Sequence, residues 1–218
     1  MVEVIREPLT IILLRSLYVS ATAALIAFLL GLIISIAMLR LPRRFSTYIL
    51  GVFDALVGVP TTAVALAVYM LIYPGGPLGF LNLLYTPTAI VIGQFLVVLP
   101  LTVTYLYRFL EHISTDIMEL VSSLGAPRYR AYVLMLRESP PALLSIYLIA
   151  FARAVGELGV ALILGGGIEG LTNVMTTAIA LYVSLGLYEP ALTLGGILVL
   201  VTVGISLLVR ALGGLLWR

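Results

Sequence analysis

Charged positions in this chain are sparse and bunched, and the gaps between them are long enough to cross a membrane. Ser16 to Leu39 carries no charge. As a helix at ~1.5 Å per residue it would reach ~36 Å, against a hydrocarbon core of ~30 Å. "RLPRR" ends that run, and the next charge-free stretch, Ala55 to Tyr107, is long enough for two spans. Its divider is "YPGGPLGFLNLLYTPT", where Pro and Gly break a helix and mark a turn. The pattern predicts spans at about 12–39, 46–73, 87–109, 140–164 and 190–212. The last begins at Pro190, a residue suited to the first turn of a helix. Such runs exceed the roughly ten alternating residues of a barrel strand, so the expected fold is an all-α polytopic membrane protein, one domain over 1–218.

Composition agrees with the pattern. Hydrophobic residues make up 62% of the 218, charged residues 10%, and mean hydropathy is +1.20, where soluble domains carry about 25% charged residues. Cysteine is absent and His112 is the single histidine, which excludes disulfides, thiol chemistry and a His-based metal site or relay. The start, "MVEVIREPLTIILLRS", mixes acids and bases without a small-residue cleavage site, and it does not read as a cleaved signal peptide.

All twelve basic residues are arginine, and their distribution gives an expected orientation. Arg40, Arg43 and Arg44 follow the first span. Arg108, Arg128, Arg130 and Arg137 lie between the third and fourth, and Arg210 and Arg218 close the chain. The loops at 74–86 and 165–189 have no basic residue. Five spans with the N-terminus outside put these arginines on the cytoplasmic side. Arg6 and Arg15 are exceptions, and Arg153 falls within a span. The same parity makes Leu171–Leu187 an outer, partly inserted helix, with a short sixth span as the alternative.

One segment breaks the apolar pattern, residues 111–139, "EHISTDIMELVSSLGAPRYRAYVLMLRES". Asp116 with Glu119 three residues on reads as a capping box, Gly125 as a helix C-terminus and Pro127 as the start of a second helix. Tyr129, Tyr132, Val133 and Leu136 then recur at helical spacing, a stripe that needs a partner to cover it.

Within this segment "ELVSSLGAPRYRAYVLML" resembles the EAA loop of the permease subunits of binding-protein-dependent ABC importers. That pattern has Glu, two small residues, Gly six positions after the Glu and an apolar residue ten further on. Here Glu119, Gly125-Ala126 and Met135 match, while Leu120-Val121 replace the two alanines and Arg137-Glu138 stand where many members have Leu-Pro. The resemblance runs from about Leu14 to the end. Through "GVPTTAVALAVYMLI", "GPLGFLNLLYTPTAIVIGQFLVVLPL" and "FARAVGELGVALILGGGIEGLTNVMTTAIAL" it is similar to the sulfate, molybdate and tungstate branch, and most like its tungstate-uptake members. A basic residue often found there near Glu169 or Asn173 is missing.

This resemblance implies a type I importer permease fold that works as a homodimer. It implies two ATP-binding subunits below, an extracytoplasmic oxyanion-binding protein above, and alternating access driven by ATP. ATP and magnesium would sit on the partner ATPase, since this chain has no G-x-x-x-x-G-K-[ST] loop. No cofactor, resident metal or nucleic acid is implied for the chain itself, and the setting is the cell membrane. Glu119, Ser122, Gly125, Ala126, Arg128 and Tyr132 would couple to the ATPase.

Arg153 and Glu157, one turn apart inside a span, are candidates for the pathway or a gate, or for a structural pair. Thr172, Asn173, Thr176 and Thr177 offer hydroxyls and an amide suited to weak anion contact, or to ordinary helix capping. Asp54 reads as a helix-end residue. Two rivals from other classes are weaker. An intramembrane enzyme needs paired catalytic residues that the spans lack, and a secondary transporter usually shows inverted repeats.

Overall fold

In a computed structural model that describes residues 7–216, the chain is helical with no strand among those residues. Arg6 and Arg218, both used in the orientation argument, lie outside them. The helices are α1 (Leu9–Leu39), α2 (Arg43–Val57), α3 (Thr61–Ile72), α4 (Pro87–Ser123), α5 (Tyr129–Glu138), α6 (Pro140–Val155), α7 (Met175–Ser184) and α8 (Tyr188–Leu216). Three helices, α1, α4 and α8, are each long and apolar enough to cross a membrane, and the count reaches five if each bent pair is one span.

The scaffold is α1 packed along α4. Lipid tails give two helices no hydrophobic reason to associate, so close packing of small residues has to hold them. The buried face of α1 is such a stripe: Ser16, Ser20, Ala23, Ala24, Ala27, Gly31 and Ser35. Gly31 shows how tight the fit is. A β-carbon there would lie 3.3 Å from both Thr102 and Leu106 of α4.

Three elements differ from the sequence expectation. The helix expected over 46–73 is two helices bent by 94° between Val57 and Thr61. Pro60 lacks the N–H that continuous helix would use and pushes Val59 out of helical conformation, beside a flexible Gly58. The expected start at Asp116 does not occur. α4 begins at Pro87, where the Thr86 side chain accepts from the Ala89 N–H at 3.3 Å, and runs 37 residues to Ser123. No Gly or Pro interrupts 101–123, so nothing ends the helix before Leu124-Gly125. Third, the span expected over 140–164 ends at Val155 and resumes as a short π-type turn over Ala161–Gly165.

The 171–187 segment is shorter than expected, a ten-residue α7 with Met175, Thr176, Thr177, Ala178 and Tyr182 buried. Two apolar clusters sit at the far end from residue 123. One joins α1, α3, α4 and the 160–164 turn, and the other joins α1, α7 and α8. A third, around Leu110, Val121, Ala131 and Met135, holds α5 onto the end of α4.

Candidate functional site

The polar segment folds into an elbow. α4 ends in a Schellman cap: the Gly125 N–H donates to the Ser122 carbonyl at 3.0 Å and the Ala126 N–H to the Val121 carbonyl at 3.1 Å. Gly125 has φ +65°, the left-handed conformation this cap requires. Pro127 opens the next helix, its carbonyl accepting from the Arg130 N–H at 3.0 Å. α5 then turns Ala131 and Met135 inward. Those two, more than the expected stripe, do the packing. Tyr132 and Leu136 are half-buried beside them, whereas Tyr129 and Val133 face outward.

What the elbow leaves open is chemically mixed. Leu120, Leu124, Tyr129 and Val133 are exposed, with Leu124 at 73%. Next to them Glu119, Ser122, Arg128 and Tyr132, together with Arg40, line a cleft of about 780 Å³. The Arg40 guanidinium lies over the Tyr132 ring, 5.2 Å from its centroid, tying the end of α1 to α5. Gly125 and Ala126 form the corner itself. The six residues singled out by the loop pattern therefore share one surface.

Arg153 and Glu157 meet, Nη1 to Oε2 at 2.8 Å. Glu157 lies just past the end of α6, however, and its Oε1 accepts from the Gly159 N–H at 3.0 Å and the Val160 N–H at 3.4 Å. The carboxylate thus caps the resumed helical segment and also anchors the arginine. It is 5% exposed against 42% for Arg153. Thr176 joins this group by donating to the Glu157 carbonyl at 3.0 Å.

Thr172, Asn173 and Thr177 are placed apart from that pair and bond within the chain. The Thr172 hydroxyl donates to the Gly165 carbonyl at 2.6 Å and accepts from the Ile168 N–H at 2.9 Å. Thr177 accepts from the Val174 N–H at 2.9 Å and lies 3.0 Å from Asn173 Oδ1. All three side chains are buried.

Sequence reasoning missed what fastens this turn to the first helix. Arg15 donates to the Asn173 carbonyl at 2.8 Å and pairs with Glu7 at 2.6 Å, and the Ser16 hydroxyl accepts from the Met175 N–H at 2.7 Å. Burial alone would raise the Glu7 carboxyl, but Arg15, the Gly170 N–H and Asn173 outweigh it and hold it below the usual carboxylate range. The available signal was an arginine standing nearly two turns inside an otherwise apolar helix. Asp54 lies within α2 and ties it to α4, accepting from Arg108 at 2.7 Å and from Thr104 at 3.0 Å.

The chain is a membrane-spanning subunit of a solute-uptake system: residues 9–217 match the family of binding-protein-dependent transport system inner membrane components, and it belongs to that family. Among its relatives, the tungstate uptake system permease protein of Peptoclostridium acidaminophilum is 38% identical over 92% of this chain and 88% of its own length. The tungstate uptake permease of Campylobacter jejuni is 33% identical over 72% of this chain and 66% of its own length. A probable anion ABC transporter permease of Haloferax volcanii is 30% identical over 88% and 85%. The chain is thus an ABC importer permease, a transport subunit.

Proposed function

We propose that the chain forms the homodimeric permease of an oxyanion importer, with tungstate as its cargo. Two separate ATPase subunits would dock on the elbow, and an extracytoplasmic binding protein would deliver the anion at the other face. The N-terminus would be outside and the C-terminus cytoplasmic, the orientation that the bias of arginines toward one set of loops favours.

The observation that carries this reading is the continuity of α4. One helix of 37 residues, ~55 Å at ~1.5 Å per residue, ends in the exposed elbow and packs along the buried face of α1. The unbroken helix would carry closure of the ATPase pair to the membrane helices, with Pro100 as the interior position where a backbone hydrogen bond is missing and the lever can bend. Glu119, Gly125 and Tyr132 sit where the lever meets its driver.

The oxyanion class rests on the named relatives, two of tungstate and one of anions. The test is reconstitution of the permease with its ATPase and binding protein in proteoliposomes. Tungstate should stimulate ATP hydrolysis and accumulate inside, with molybdate next and sulfate weakest. A complex that hydrolyses ATP but takes up none of the three would overturn the substrate assignment. A permease that recruits no ATPase would overturn the coupling assignment.

A further inference from the structure

The break between α2 and α3 opens a cavity of about 280 Å³, lined by Leu56, Val57, Thr61, Val97 and Leu101 with Arg153 as its one charged side chain. Glu157, though paired with that arginine, does not line it. The carboxylate is turned into the fold against the Gly159 and Val160 amides, while the guanidinium is left 42% exposed. The cavity therefore sees a positive charge whose counter-charge is screened behind it.

Depth makes this unusual. Arg153 is ~20 Å along α6 from Pro140 at ~1.5 Å per residue, and Thr61 is ~16 Å along α3 from its far end, within a hydrocarbon core of ~30 Å. Half-exposed guanidinium at such depth is costly against lipid and belongs on a water-filled path or against a charged ligand. Glu157 uses one of the five N–H donors that a guanidinium carries.

Thr61 adds a hydroxyl. Elsewhere in these helices Thr22, Thr47 and Thr102 donate to the carbonyl four residues back. Thr61 is the first residue of α3, and Val57, four residues behind it, ends α2 on the other side of the 94° bend, so the Thr61 hydroxyl does not donate back to that carbonyl. Its Oγ1 lies beside the Glu157–Gly159 turn, 3.4 Å from where a Gly159 β-carbon would sit. A water occupies about 30 Å³, so the cavity has room for a small tetrahedral oxyanion with part of its hydration shell.

We propose that this cavity is a transit site for the permeating oxyanion, held by the Arg153 guanidinium and the Thr61 hydroxyl between walls of Val and Leu. The site rests on the oxyanion-import reading and gives it a location. Apolar walls lower the local dielectric and strengthen the attraction, and a single arginine with one hydroxyl, having no second cation, releases the anion readily.

The chain's lack of cysteine allows a direct test in the assembled complex in proteoliposomes. Val57→Cys should react with a water-soluble, anionic thiosulfonate reagent, and saturating tungstate should slow that reaction several-fold. The paired replacement Arg153→Gln with Glu157→Gln keeps a neutral hydrogen-bonding pair at the same spacing. It should remove the protection and lower tungstate uptake by roughly tenfold or more, the scale of a hydrogen bond to a charged group, with the complex still assembled. Thr61→Val, nearly isosteric on a half-buried position, should raise the KM for uptake a few-fold without changing assembly.

Three results overturn the site: Val57→Cys inert to the reagent, equal labelling with and without tungstate, or wild-type uptake by the paired variant. If the unaltered complex moves none of tungstate, molybdate or sulfate, the import reading falls first and the site with it. Transport by the unaltered complex without protection at Val57→Cys removes the site alone.

Discussion

The polar residues at the two ends of this molecule are used in opposite ways. At the far end Thr172, Asn173, Thr177, Ser16 and Glu7 are buried, Arg15 is half-buried, and they bond to one another or to nearby backbone. At the elbow Glu119, Ser122 and Arg128 are exposed, next to exposed Leu124 and Tyr129. A threonine already donating to a carbonyl holds the chain in shape, and contacting a solute would require that bond to be given up. An exposed leucine beside a corner fixed by backbone bonds does nothing for the chain alone. The far end is therefore where substitutions should unfold the protein, and the elbow is where they should disconnect it.

The sharpest break of that contrast is at Arg15. Arg15→Met removes a guanidinium that neutralises Glu7, itself 6% exposed, and that ties down the Asn173 carbonyl. Breaking one half of a buried pair costs about 3–5 kcal/mol, measurable as a large fall in thermal unfolding temperature in detergent. Adding Glu7→Gln should restore much of it, because the uncompensated charge is gone. The pair should also show in the pH dependence. Glu7 has a folded-state value below its unfolded one. Its contribution is thus present above the ordinary carboxyl value of about 4.3 and is lost as pH falls through the lower folded value. Acid destabilisation should be shallower in Glu7→Gln.

Thr172→Val is the next step down. It removes one hydroxyl and leaves the Ile168 N–H and the Gly165 carbonyl without their partner, a cost of about 1–3 kcal/mol. Stability should fall, while uptake per folded complex should hold. A loss of uptake with unchanged stability would instead move Thr172 into the pathway and weaken the contrast between the ends.

What the sequence made legible follows the range of the interactions. The Gly125 cap and the Pro127 start depend on neighbours a few residues away, and both are where local pattern placed them. Charge-free runs likewise located the long helices, since length and hydropathy are local properties. The 94° break at Gly58-Val59-Pro60 had its residues in plain view. It was read as part of one span because hydropathy continues across it unchanged. Asp116 and Glu119 have the spacing of a capping box, but a cap forms only where a helix begins, and the preceding turn was already helical. Arg15 could not be placed at all: its partner carbonyl is 158 positions away, and no pattern along the chain reports that distance. The inward role of Met135 and Ala131 was hidden for a related reason, since the stripe around Tyr129 and Val133 has the same period and only α4 decides which face turns in.

At the elbow the expected effects on the fold are smaller. Gly125→Trp meets the left-handed backbone penalty of roughly 1–2 kcal/mol, but a β-carbon there has nothing within 4 Å. The indole would project away from the chain into whatever docks on the corner. The permease should fold and dimerise, and ATP-driven uptake should be abolished, with both read in the same preparation. Normal uptake by that variant would mean the ATPase does not dock here.

Leu124→Ser should disturb the fold least of all. Leu124 is 73% exposed and its backbone carries the cap, so a polar replacement should change stability by no more than about 0.5 kcal/mol. If Leu124 is an apolar anchor for the ATPase, the affinity between the two subunits should fall by at least about tenfold, or ~1.4 kcal/mol. Titrating the ATPase subunit against permease in detergent would measure it, and Leu207→Ser on α8, of similar exposure at 63% but on a lipid-length helix, supplies the control. Equal effects from the two would mean that any exposed leucine weakens the complex by disturbing the permease generally. A selective effect at Leu124 would place the docking energy at the corner, where the chain leaves apolar surface that its own packing does not use.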